Sequence, residues 1–370
     1  MLVSLMPNHW YLAPFSWLYA LVTDIRNQLF DWNVLRSESF PLPVIGVGNL
    51  TVGGTGKTPH TEYLIRLLKD QYRVAFLSRG YKRKSKGYFL ASEGCSALDI
   101  GDEPYQVWQH HPDIHVAVDA DRCEGIRRLS SDEPTVDTQV VVLDDAYQHR
   151  RVRPGLNILL CDSSRMPYDD RLLPMGRLRE SFQGRNRADI IVVTKCPSDL
   201  QPIDYRVFLN HLAPKANQHV FFTTYEYGAP VPLARWAERV GKETEPRPFT
   251  PDTQCVLLTG IARPEPLIQY LEKQVRNVVP VTYPDHHNFS SAEICKATHT
   301  LSRLTSIDKR LILTEKDASR LATDESLLSL LPTETYVLPI QICFLQNEQE
   351  SFNKIILDYV RKNSGNSSVH

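Results

Sequence analysis

The chain has 370 residues, which is long enough for a large hydrophobic core and for two domains. Its formal net charge of −1 provides no overall basic surface, so no nucleic-acid partner is expected and any charge effect must be local. The 7 cysteines show no C-x-x-C spacing, which argues against a zinc site or a disulfide framework and indicates a reducing compartment, the cytoplasm.

The chain begins with an aromatic and apolar segment. Residues 10–22 read WYLAPFSWLYALV, which contains Pro14 and is shorter than the roughly 20 apolar residues that a membrane-spanning helix needs. A secretory signal is also disfavoured, because no basic n-region and no small-residue cleavage site are present. From Phe15 the apolar residues recur with helical spacing, so residues 1–36 are predicted to contain an amphipathic helix. Two alternatives stay open: the helix lies in a membrane interface, or it packs on the body of the protein.

Residues 43–68 carry the strongest functional signal, because they read as a strand, a glycine loop, a Lys-Thr pair and a helix. Glycines let backbone N–H groups point at a phosphate, Lys57 can reach the β- and γ-phosphates, and the Thr58 hydroxyl can ligate Mg²⁺. The usual pattern has glycine where this chain has Thr51, and a plain glycine-rich turn is the alternative. The Lys-Thr pair favours a P-loop, whose predicted nucleotide-binding residues are Thr51, Val52, Gly53, Gly54, Thr55, Gly56, Lys57 and Thr58.

The next segments alternate between predicted strands and helices. A strand at residues 74–78 runs into a basic loop at residues 78–84, which is predicted to bind an anion because it ends a strand. Asp102 opens the following helix and, on its own, is interpreted as an N-cap or first-turn acid. A strand at residues 114–118 and a helix at residues 123–129 follow.

Residues 139–150 read QVVVLDDAYQHR, an apolar strand that ends in Asp144 and Asp145 and resembles a Walker B element. Two more strands are predicted at residues 157–161 and 189–193. The loop between them, residues 162–188, is here named the arginine loop. Its guanidinium groups suit phosphate recognition and belong to Arg165, Arg171, Arg177, Arg179, Arg185 and Arg187.

The strand at residues 189–193 is followed by Thr-Lys-Cys-Pro, where a guanine-specific GTPase would have Asn-Lys-x-Asp. Pro197 therefore stands in place of the aspartate that reads guanine, which favours ATP over GTP.

The second half is predicted to be a smaller α/β domain, residues 252–370, joined by a linker at residues 230–251 to a P-loop core at residues 37–229. Its predicted strands are residues 255–259, 278–282, 311–314 and 336–340. Asp285, His286 and His287 follow one of them, and one catalytic histidine is a better interpretation than a metal-binding pair. The overall prediction is an α/β fold with a mainly parallel sheet of the P-loop NTPase type and flanking helices.

Eight motifs occur in an order that resembles the tetraacyldisaccharide 4′-kinases, the lipid A biosynthetic enzymes of Gram-negative bacteria. They are VGNLTVGGTGKTP, SRGY, GDEP, LDDAYQH, LLPMGRLRE, TGIARP, DHHNF and LTEKDA, and they extend to about Arg320. The resemblance implies transfer of the γ-phosphate of ATP, with Mg²⁺, to the 4′-hydroxyl of a tetraacylated glucosamine disaccharide 1-phosphate. It also implies a peripheral protein, expected to be a monomer, whose N-terminal helix docks on the cytoplasmic face of the inner membrane, because a substrate with four acyl chains stays in the bilayer.

The resemblance further implies roles for individual residues. In the family the acid of GDEP works with the histidine of the DH motif, here Asp102 and His286. Asp102 would accept the proton of the sugar hydroxyl while His286 orients or stabilises it, with His287 as the alternative histidine. The remaining implied residues surround the phosphates and the metal: Lys57, Asp145, Arg122, Arg179 and Gln148 in catalysis, and Thr58, Asp144 and Glu180 beside Mg²⁺.

Three other classes of function are disfavoured by single positions. A delivery ATPase of the deviant P-loop class would have its signature lysine where this chain has Val52. A GTPase switch is disfavoured by Pro197. A structural protein with an inactive nucleotide fold is disfavoured because Lys57, Thr58 and Asp144 are all present.

Overall fold

The structure is a computed structural model that describes residues 10–237, 246–285, 287–322 and 324–364. The chain divides into two compact units, and each of them is assembled from separate segments. The first unit comprises residues 1–79, 119–225 and 342–370, and the second unit comprises residues 80–118 and 226–341.

The strands of the described residues are numbered in chain order. They are β1 (Val44–Gly48), β2 (Val74–Ser78), β3 (Phe89–Leu90), β4 (His115–Val118), β5 (Val140–Asp144), β6 (Leu156–Asp162), β7 (Ile190–Thr194), β8 (His219–Tyr227), β9 (Val231–Pro232), β10 (Gln254–Thr259), β11 (Asn277–Thr282), β12 (Lys309–Thr314), β13 (Thr335–Leu338) and β14 (Ile340–Phe344).

The α-helices of the described residues are numbered in the same way. They are α1 (Ala13–Asp31), α2 (Lys57–Lys69), α3 (Ala97–Ile100), α4 (Asp102–His110), α5 (Arg122–Ser131), α6 (Pro202–Leu212), α7 (Leu233–Ala237), α8 (Glu265–Gln274), α9 (Ser291–Ser302), α10 (Glu315–Leu321), α11 (Glu325–Leu328) and α12 (Gln349–Ser364).

The first unit is built on a mainly parallel sheet. Its strands are hydrogen-bonded neighbours in the order β14, β8, β7, β6, β1, β5 and β2, and the pairs from β8 through to β2 are parallel. Strands β1, β2, β5 and β7 are buried along their whole length, as expected for parallel strands that are covered on both faces. Their carboxyl ends share one edge of the sheet, where ligands bind in open α/β folds.

Helix α12, the last helix of the described residues, packs within the first unit. The Tyr63 hydroxyl of α2 donates to Asn353 Oδ1 at 2.7 Å, and the Tyr359 hydroxyl donates to the carbonyl of Val44 at 3.1 Å. The buried side of α12 carries Phe352, Ile356 and Val360, which are spaced four residues apart. Residues 342–370 therefore belong to the first unit, whereas the sequence prediction had included them in a domain spanning residues 252–370.

The second unit is built on a sheet of five strands in the order β11, β10, β12, β13 and β9, in which only β9 is antiparallel to its neighbour. Helix α9 packs its buried residues Ile294, Ala297 and Leu301 into the same core as the central strands. Strand β9 and helix α7 lie inside the predicted linker, so residues 231–237 are structured parts of this unit. Residues 238–245 of that linker lie outside the described residues.

Residues 80–118 also belong to the second unit, although the prediction had placed them in the P-loop core. Within this segment β3 pairs with β4 in antiparallel fashion, and α4 packs beside α10. An ion pair from Asp102 to Arg320 adds to the packing of these two helices, with Arg320 Nε 3.3 Å from Asp102 Oδ2. Tertiary contacts thus associate this segment with residues that come more than 200 positions later.

Candidate active site

The glycine loop follows β1 and ends at the first residue of α2. Gly56 is the N-cap of this helix and has a positive φ of 85°, a conformation that glycine adopts without strain. A Cβ atom at residue 56 would overlap the hydroxyl of Tyr225, so the position also lacks space for a side chain. Lys57 and Thr58 then begin α2 and present their side chains at its N-terminus, where the helix dipole favours anions.

Side chains from the neighbouring strand ends hold the glycine loop in place. Asn49 Nδ2 donates to Thr55 Oγ1 at 2.9 Å, and the Thr194 hydroxyl donates to the carbonyl of Thr55 at 2.9 Å. Lys195 donates to the carbonyl of Gly54 and forms an ion pair with Asp162 at 2.9 Å. No role was assigned to Lys195 from the sequence, and this support was missed. The available signal was that Asp162 and Lys195 both lie at the carboxyl ends of predicted strands.

The arginine loop runs alongside the glycine loop and is hydrogen bonded to it. The Val52 N–H donates to the Arg177 carbonyl, and the Arg179 N–H donates to the Leu50 carbonyl, both at 2.8 Å. Thr51 forms an isolated antiparallel bridge with Leu178. Extended backbone suits a β-branched residue, which explains why threonine is accepted where the usual P-loop pattern has glycine.

Two predicted site residues, Lys57 and Arg179, converge on the carboxylate of a third, Asp145. Lys57 Nζ lies 3.5 Å from Asp145 Oδ1, and Arg179 Nη1 donates to both carboxylate oxygens at 3.0 and 2.9 Å. Burial alone would raise the pKa of Asp145, but the nearby charges of Lys57 and Arg179 outweigh it and lower the pKa below its ordinary value. Asp145 therefore stays ionised at neutral pH and brings both cations to one place.

Asp144 and Arg122 lie close to this cluster. Asp144 is the last residue of β5, is 3% exposed, and accepts a hydrogen bond from the Ser78 hydroxyl at 3.4 Å. Burial lowers the pKa of Arg122, and the charges of Asp145 and Asp144 oppose that shift. Asp144 is in register with Val47 of β1, so it lies on the strand adjacent to the one that leads to Thr58. Carboxylate and hydroxyl oxygens are the donors that Mg²⁺ prefers, so this pair fits the metal.

Buried Glu180 and half-buried Gln148 form a polar pair next to the cluster. Gln148 Nε2 donates to Glu180 Oε1 at 3.0 Å and to the carbonyl of Asn49 at 2.7 Å, and Arg179 Nη1 donates to Gln148 Oε1 at 3.3 Å. Glu180 Oε2 accepts hydrogen bonds from Arg187 at 2.7 Å and from Asn27 at 3.1 Å. Both carboxylate oxygens of Glu180 thus accept hydrogen bonds from protein groups.

Helix α1 packs its polar side on the first unit. The Tyr19 hydroxyl donates to the Arg179 carbonyl at 2.8 Å, and Arg26 Nη2 donates to the Gln148 carbonyl at 3.1 Å. Buried Phe30 lies under the guanidinium groups of both Arg26 and Arg150. The exposed side of α1 carries apolar residues, the reverse of the usual arrangement for a helix on a soluble protein: Phe15, Trp17, Leu18, Leu21, Val22 and Ile25. Trp10 and Tyr11 precede the helix, Trp32 follows it, and all three are also exposed.

In the second unit, Asp102 is hydrogen bonded to an anchored arginine. Asp102 is the first residue of α4 and the N-cap is Gly101, so Asp102 is a first-turn acid and not the cap. Arg320 Nε lies 3.3 Å from Asp102 Oδ2, and its Nη1 donates to the Gly260 carbonyl at 3.3 Å. Asp317 is fully buried and accepts hydrogen bonds from the hydroxyls of Thr259 and Thr314 at 2.7 and 2.6 Å.

The contacts of Arg320 and Asp317 explain the TGIARP and LTEKDA motifs, to which the sequence assigned no role. His286 lies outside the described residues. The neighbouring His287 has its Nε2 at 3.0 Å from Glu293 Oε1, and its ring stacks on Tyr283 at 4.6 Å between centroids.

The chain is similar to proteins of one described family. A family model described as tetraacyldisaccharide-1-P 4′-kinase matches residues 8–361. A relative named tetraacyldisaccharide 4′-kinase from Bacteroides thetaiotaomicron is 48% identical, over 97% of this chain and 95% of its own. A relative of the same name from Flavobacterium johnsoniae is 46% identical, over 95% of this chain and 97% of its own.

A solved structure agrees with the sequence relatives. The "apo" form of LpxK from Aquifex aeolicus, in complex with ATP, superimposes with a TM-score of 0.68 at 29% identity, over 95% of this chain and 98% of that chain. The predicted α/β fold of the P-loop type is thereby confirmed.

The comparisons also confirm the predicted enzyme class, an ATP-dependent kinase of lipid A biosynthesis that phosphorylates the 4′-hydroxyl of a tetraacyldisaccharide. A delivery ATPase, a GTPase switch and an inactive nucleotide fold are set aside accordingly. With a family match over residues 8–361 and relatives at 48% identity, this chain belongs to the tetraacyldisaccharide-1-phosphate 4′-kinase family.

Proposed function

We propose that the glycine loop of the first unit binds ATP and that Lys57, Arg122 and Arg179 neutralise the phosphoryl group during its transfer. The observation that carries this proposal is the convergence of Lys57 and Arg179 on the ionised Asp145 beside the loop. An arginine that contacts a transferring phosphoryl group contributes about 10³- to 10⁵-fold to the rate in related chemistry. The backbone of residues 51–58 would hold the remaining phosphate oxygens.

Asp144 and Thr58 are proposed to hold Mg²⁺, which supplies positive charge at the phosphates when it is bound. Glu180 was expected beside the metal as well. Its hydrogen bonds from Asn27, Gln148 and Arg187 favour a different role, in which Glu180 orients the amide of Gln148. Gln148 would in turn present its amide oxygen to Arg179.

Asp102 is proposed as the general base that accepts the proton of the sugar hydroxyl. Its side chain is 39% exposed, which leaves it accessible to a substrate, and its contact with Arg320 fixes one carboxylate oxygen. A positioned general base contributes about 10²- to 10⁴-fold to a rate. His286 is proposed to orient or stabilise this base, as the family resemblance implies.

Helix α1 is proposed to dock on the cytoplasmic face of the inner membrane, as a peripheral anchor of a monomeric enzyme. None of the helices in the described residues is long and apolar enough to cross a bilayer. The exposed side of α1 is nevertheless aromatic and aliphatic, with Trp17 84% exposed. A helix of this kind lies in the interface with its apolar side among the acyl chains, where the lipid disaccharide also resides.

The proposal is tested by measuring phosphate transfer from labelled ATP to tetraacyldisaccharide 1-phosphate in detergent micelles. We expect transfer by the wild type, a loss of several orders of magnitude in Lys57→Ala, and a loss of about 10²- to 10⁴-fold in Asp102→Ala. Glu103→Gln, which alters the next acid of α4, is the matched control and should retain activity.

The affinity for ATP distinguishes a general base at Asp102 from a structural role of this residue. Asp102→Ala should bind ATP nearly as tightly as the wild type, because the proposed base acts on the acceptor. Loss of ATP binding in this variant would assign Asp102 a structural role. Hydrolysis of ATP without phosphorylation of the lipid would contradict the proposed acceptor.

A further inference from the structure

Helix α1 is hydrogen bonded to three residues of the proposed phosphate site, and anchoring to a membrane does not require these contacts. Tyr19 donates to the backbone of Arg179, Arg26 donates to the backbone of Gln148, and Asn27 donates to the side chain of Glu180. All of these contacts lie within the first unit. The polar side of α1 therefore contacts the same residues that surround the proposed phosphate groups.

Of these three contacts, that of Asn27 is made to a buried charged side chain, and the other two are made to backbone carbonyls. Glu180 is 3% exposed, and its Oε2 receives the Asn27 amide at 3.1 Å and the Arg187 guanidinium at 2.7 Å. Removal of a donor from a buried carboxylate costs free energy, because the charge is then less fully satisfied by hydrogen bonds. Asn27 is thus one of the groups that fix the position of the Glu180 carboxylate.

From Glu180 the contacts continue without a gap to the P-loop lysine. Glu180 Oε1 accepts from Gln148 Nε2, and Gln148 Oε1 accepts from Arg179 Nη1. Arg179 is bound to both oxygens of Asp145, which lies 3.5 Å from Lys57 Nζ. Each link is a directional hydrogen bond or an ion pair, so a displacement of Glu180 changes the position of Arg179.

We propose that Asn27 is a positioning residue for phosphoryl transfer, which acts through Glu180 and Gln148 on Arg179 and Lys57. The membrane helix would then have two separate sides, one that holds lipid and one that sets the geometry of the phosphate site. This inference rests on the proposed function only in assigning Lys57 and Arg179 to the phosphates of ATP.

The test compares Asn27→Ala and Asn27→Asp with Gln28→Ala, an exposed neighbour on the same helix. Asn27→Asp preserves shape but places a second carboxylate against Glu180, so it should disturb the site more than the loss of one donor does. The primary measurement is the dissociation constant of a non-hydrolysable ATP analogue with Mg²⁺, by calorimetry in detergent without the lipid substrate. Vesicle binding, the melting temperature and kcat with the lipid substrate are measured on the same preparations.

We expect nucleotide affinity to weaken about tenfold in Asn27→Ala and further in Asn27→Asp, with Gln28→Ala unchanged. Vesicle binding should be the same in all variants, since the apolar side of α1 is intact. Unchanged nucleotide affinity in both Asn27 variants would overturn the proposal. An equal loss in both variants that follows a lowered melting temperature would also overturn it, because it would show a role in folding alone.

The primary measurement does not involve the acceptor, which keeps the two proposals separable. A protein that shows this order of nucleotide affinities but does not phosphorylate the lipid would refute the proposed acceptor and support the role of Asn27.

Discussion

Asp145 is the residue on which the charges of the phosphate site depend. It has a positive φ of 46°, a conformation that aspartate tolerates better than most residues but that still costs energy. Its carboxylate accepts two hydrogen bonds from Arg179 and lies next to Lys57, and these cations lower its pKa despite burial. The strained backbone therefore places a permanent negative charge between two cations that are proposed to bind phosphate.

The cysteines allow a residue-scale prediction about pH. Burial raises the pKa of Cys161, Cys196 and Cys255 to about 12, whereas Cys295 is exposed. Only the thiolate reacts, so at pH 8 these three thiols should react with a disulfide reagent about 10³-fold more slowly than an ordinary thiol. The rate of any of them should rise about tenfold per pH unit until the pKa is reached, because more of the thiol is then deprotonated.

The measurement is the time course of thiol release from Ellman's reagent on the native protein, with Cys295→Ser as the control. The fastest phase should disappear in that variant, and the three buried thiols should contribute only to the slow phase, whose rate rises with pH. Rapid labelling of Cys161, located by peptide mapping, would show that this strand opens readily in the native protein.

The sequence predicted the residues whose chemistry is local. The glycine loop, Lys57 and Thr58 are adjacent in the chain, and their residue types are sufficient to indicate a phosphate site. The support from Lys195 to Gly54 and the pairing of Asp317 with Arg320 near Asp102 were missed. The first joins residues 141 positions apart, which become neighbours only once the strand order of the sheet is known. The second lies within one helix, but its role became visible only through Arg320 and Asp102, which are 218 positions apart.

At the scale of one element, α1 packs on the body of the protein, one of the two alternatives that the sequence left open, and its exposed apolar side supports the proposed membrane docking. It packs on the first unit through Ser16, Tyr19, Asn27 and Phe30, and it leaves its aromatic side exposed. Periodicity identified the helix but not which side was buried. In a soluble protein the apolar side of such a helix would be expected to face the core. The orientation of α1 is set instead by hydrogen bonds to residues far along the chain, which the sequence does not reveal.

The exposed side of α1 predicts that membrane binding depends on its apolar residues. A double substitution, Trp17→Ser with Leu21→Ser, should weaken binding to anionic vesicles by at least about 10²-fold, because each buried side chain contributes about 1.5–3 kcal/mol. Binding is measured by flotation of the purified protein with the vesicles. Nucleotide affinity in detergent should be unchanged.

The matched control is the double variant Ile203→Ser with Val207→Ser, which removes two exposed apolar residues from α6. If both double variants float equally well with the vesicles, α1 is not the anchor. If both lose binding equally, hydrophobicity in general and not α1 would account for the interaction.

At the scale of the whole molecule, each unit is assembled from segments that are distant in the chain. The first unit includes residues 342–370, and the second includes residues 80–118. The sequence located most of the strands, for instance β2 at residues 74–78 and β10 to within one residue, because short apolar runs are a local signal. It did not locate the unit boundaries, because the amino-acid composition does not change at the points where the chain passes from one unit to the other.

This division predicts that a substitution in the last helix destabilises the P-loop unit. Phe352 is 3% exposed and contacts the rings of Tyr63, Phe221 and Phe344. Phe352→Ala should lower the free energy of unfolding of the first unit by about 3–5 kcal/mol, since it leaves a cavity among aromatic rings.

Unfolding in urea is monitored by hydrogen exchange. Exchange in α2 and β1 reports on the first unit, and exchange in β10 and β12 reports on the second. Lys354→Ala, an exposed position on the same helix, is the control and should change neither. Destabilisation confined to β10 and β12 would place α12 with the second unit and contradict the division.

The hydroxyl of Tyr359 is bonded to both backbone groups of Val44, the first residue of the strand that leads into the glycine loop, across 315 positions of sequence. During synthesis on the ribosome, at about 5–20 residues per second, on the order of tens of seconds pass between the synthesis of β1 and the synthesis of Tyr359. All residues of the second unit are synthesised in that interval, before α12 of the first unit. The strand that leads into the glycine loop therefore lacks this contact until α12 has been made, so the first unit is completed after the second although its P-loop is made first.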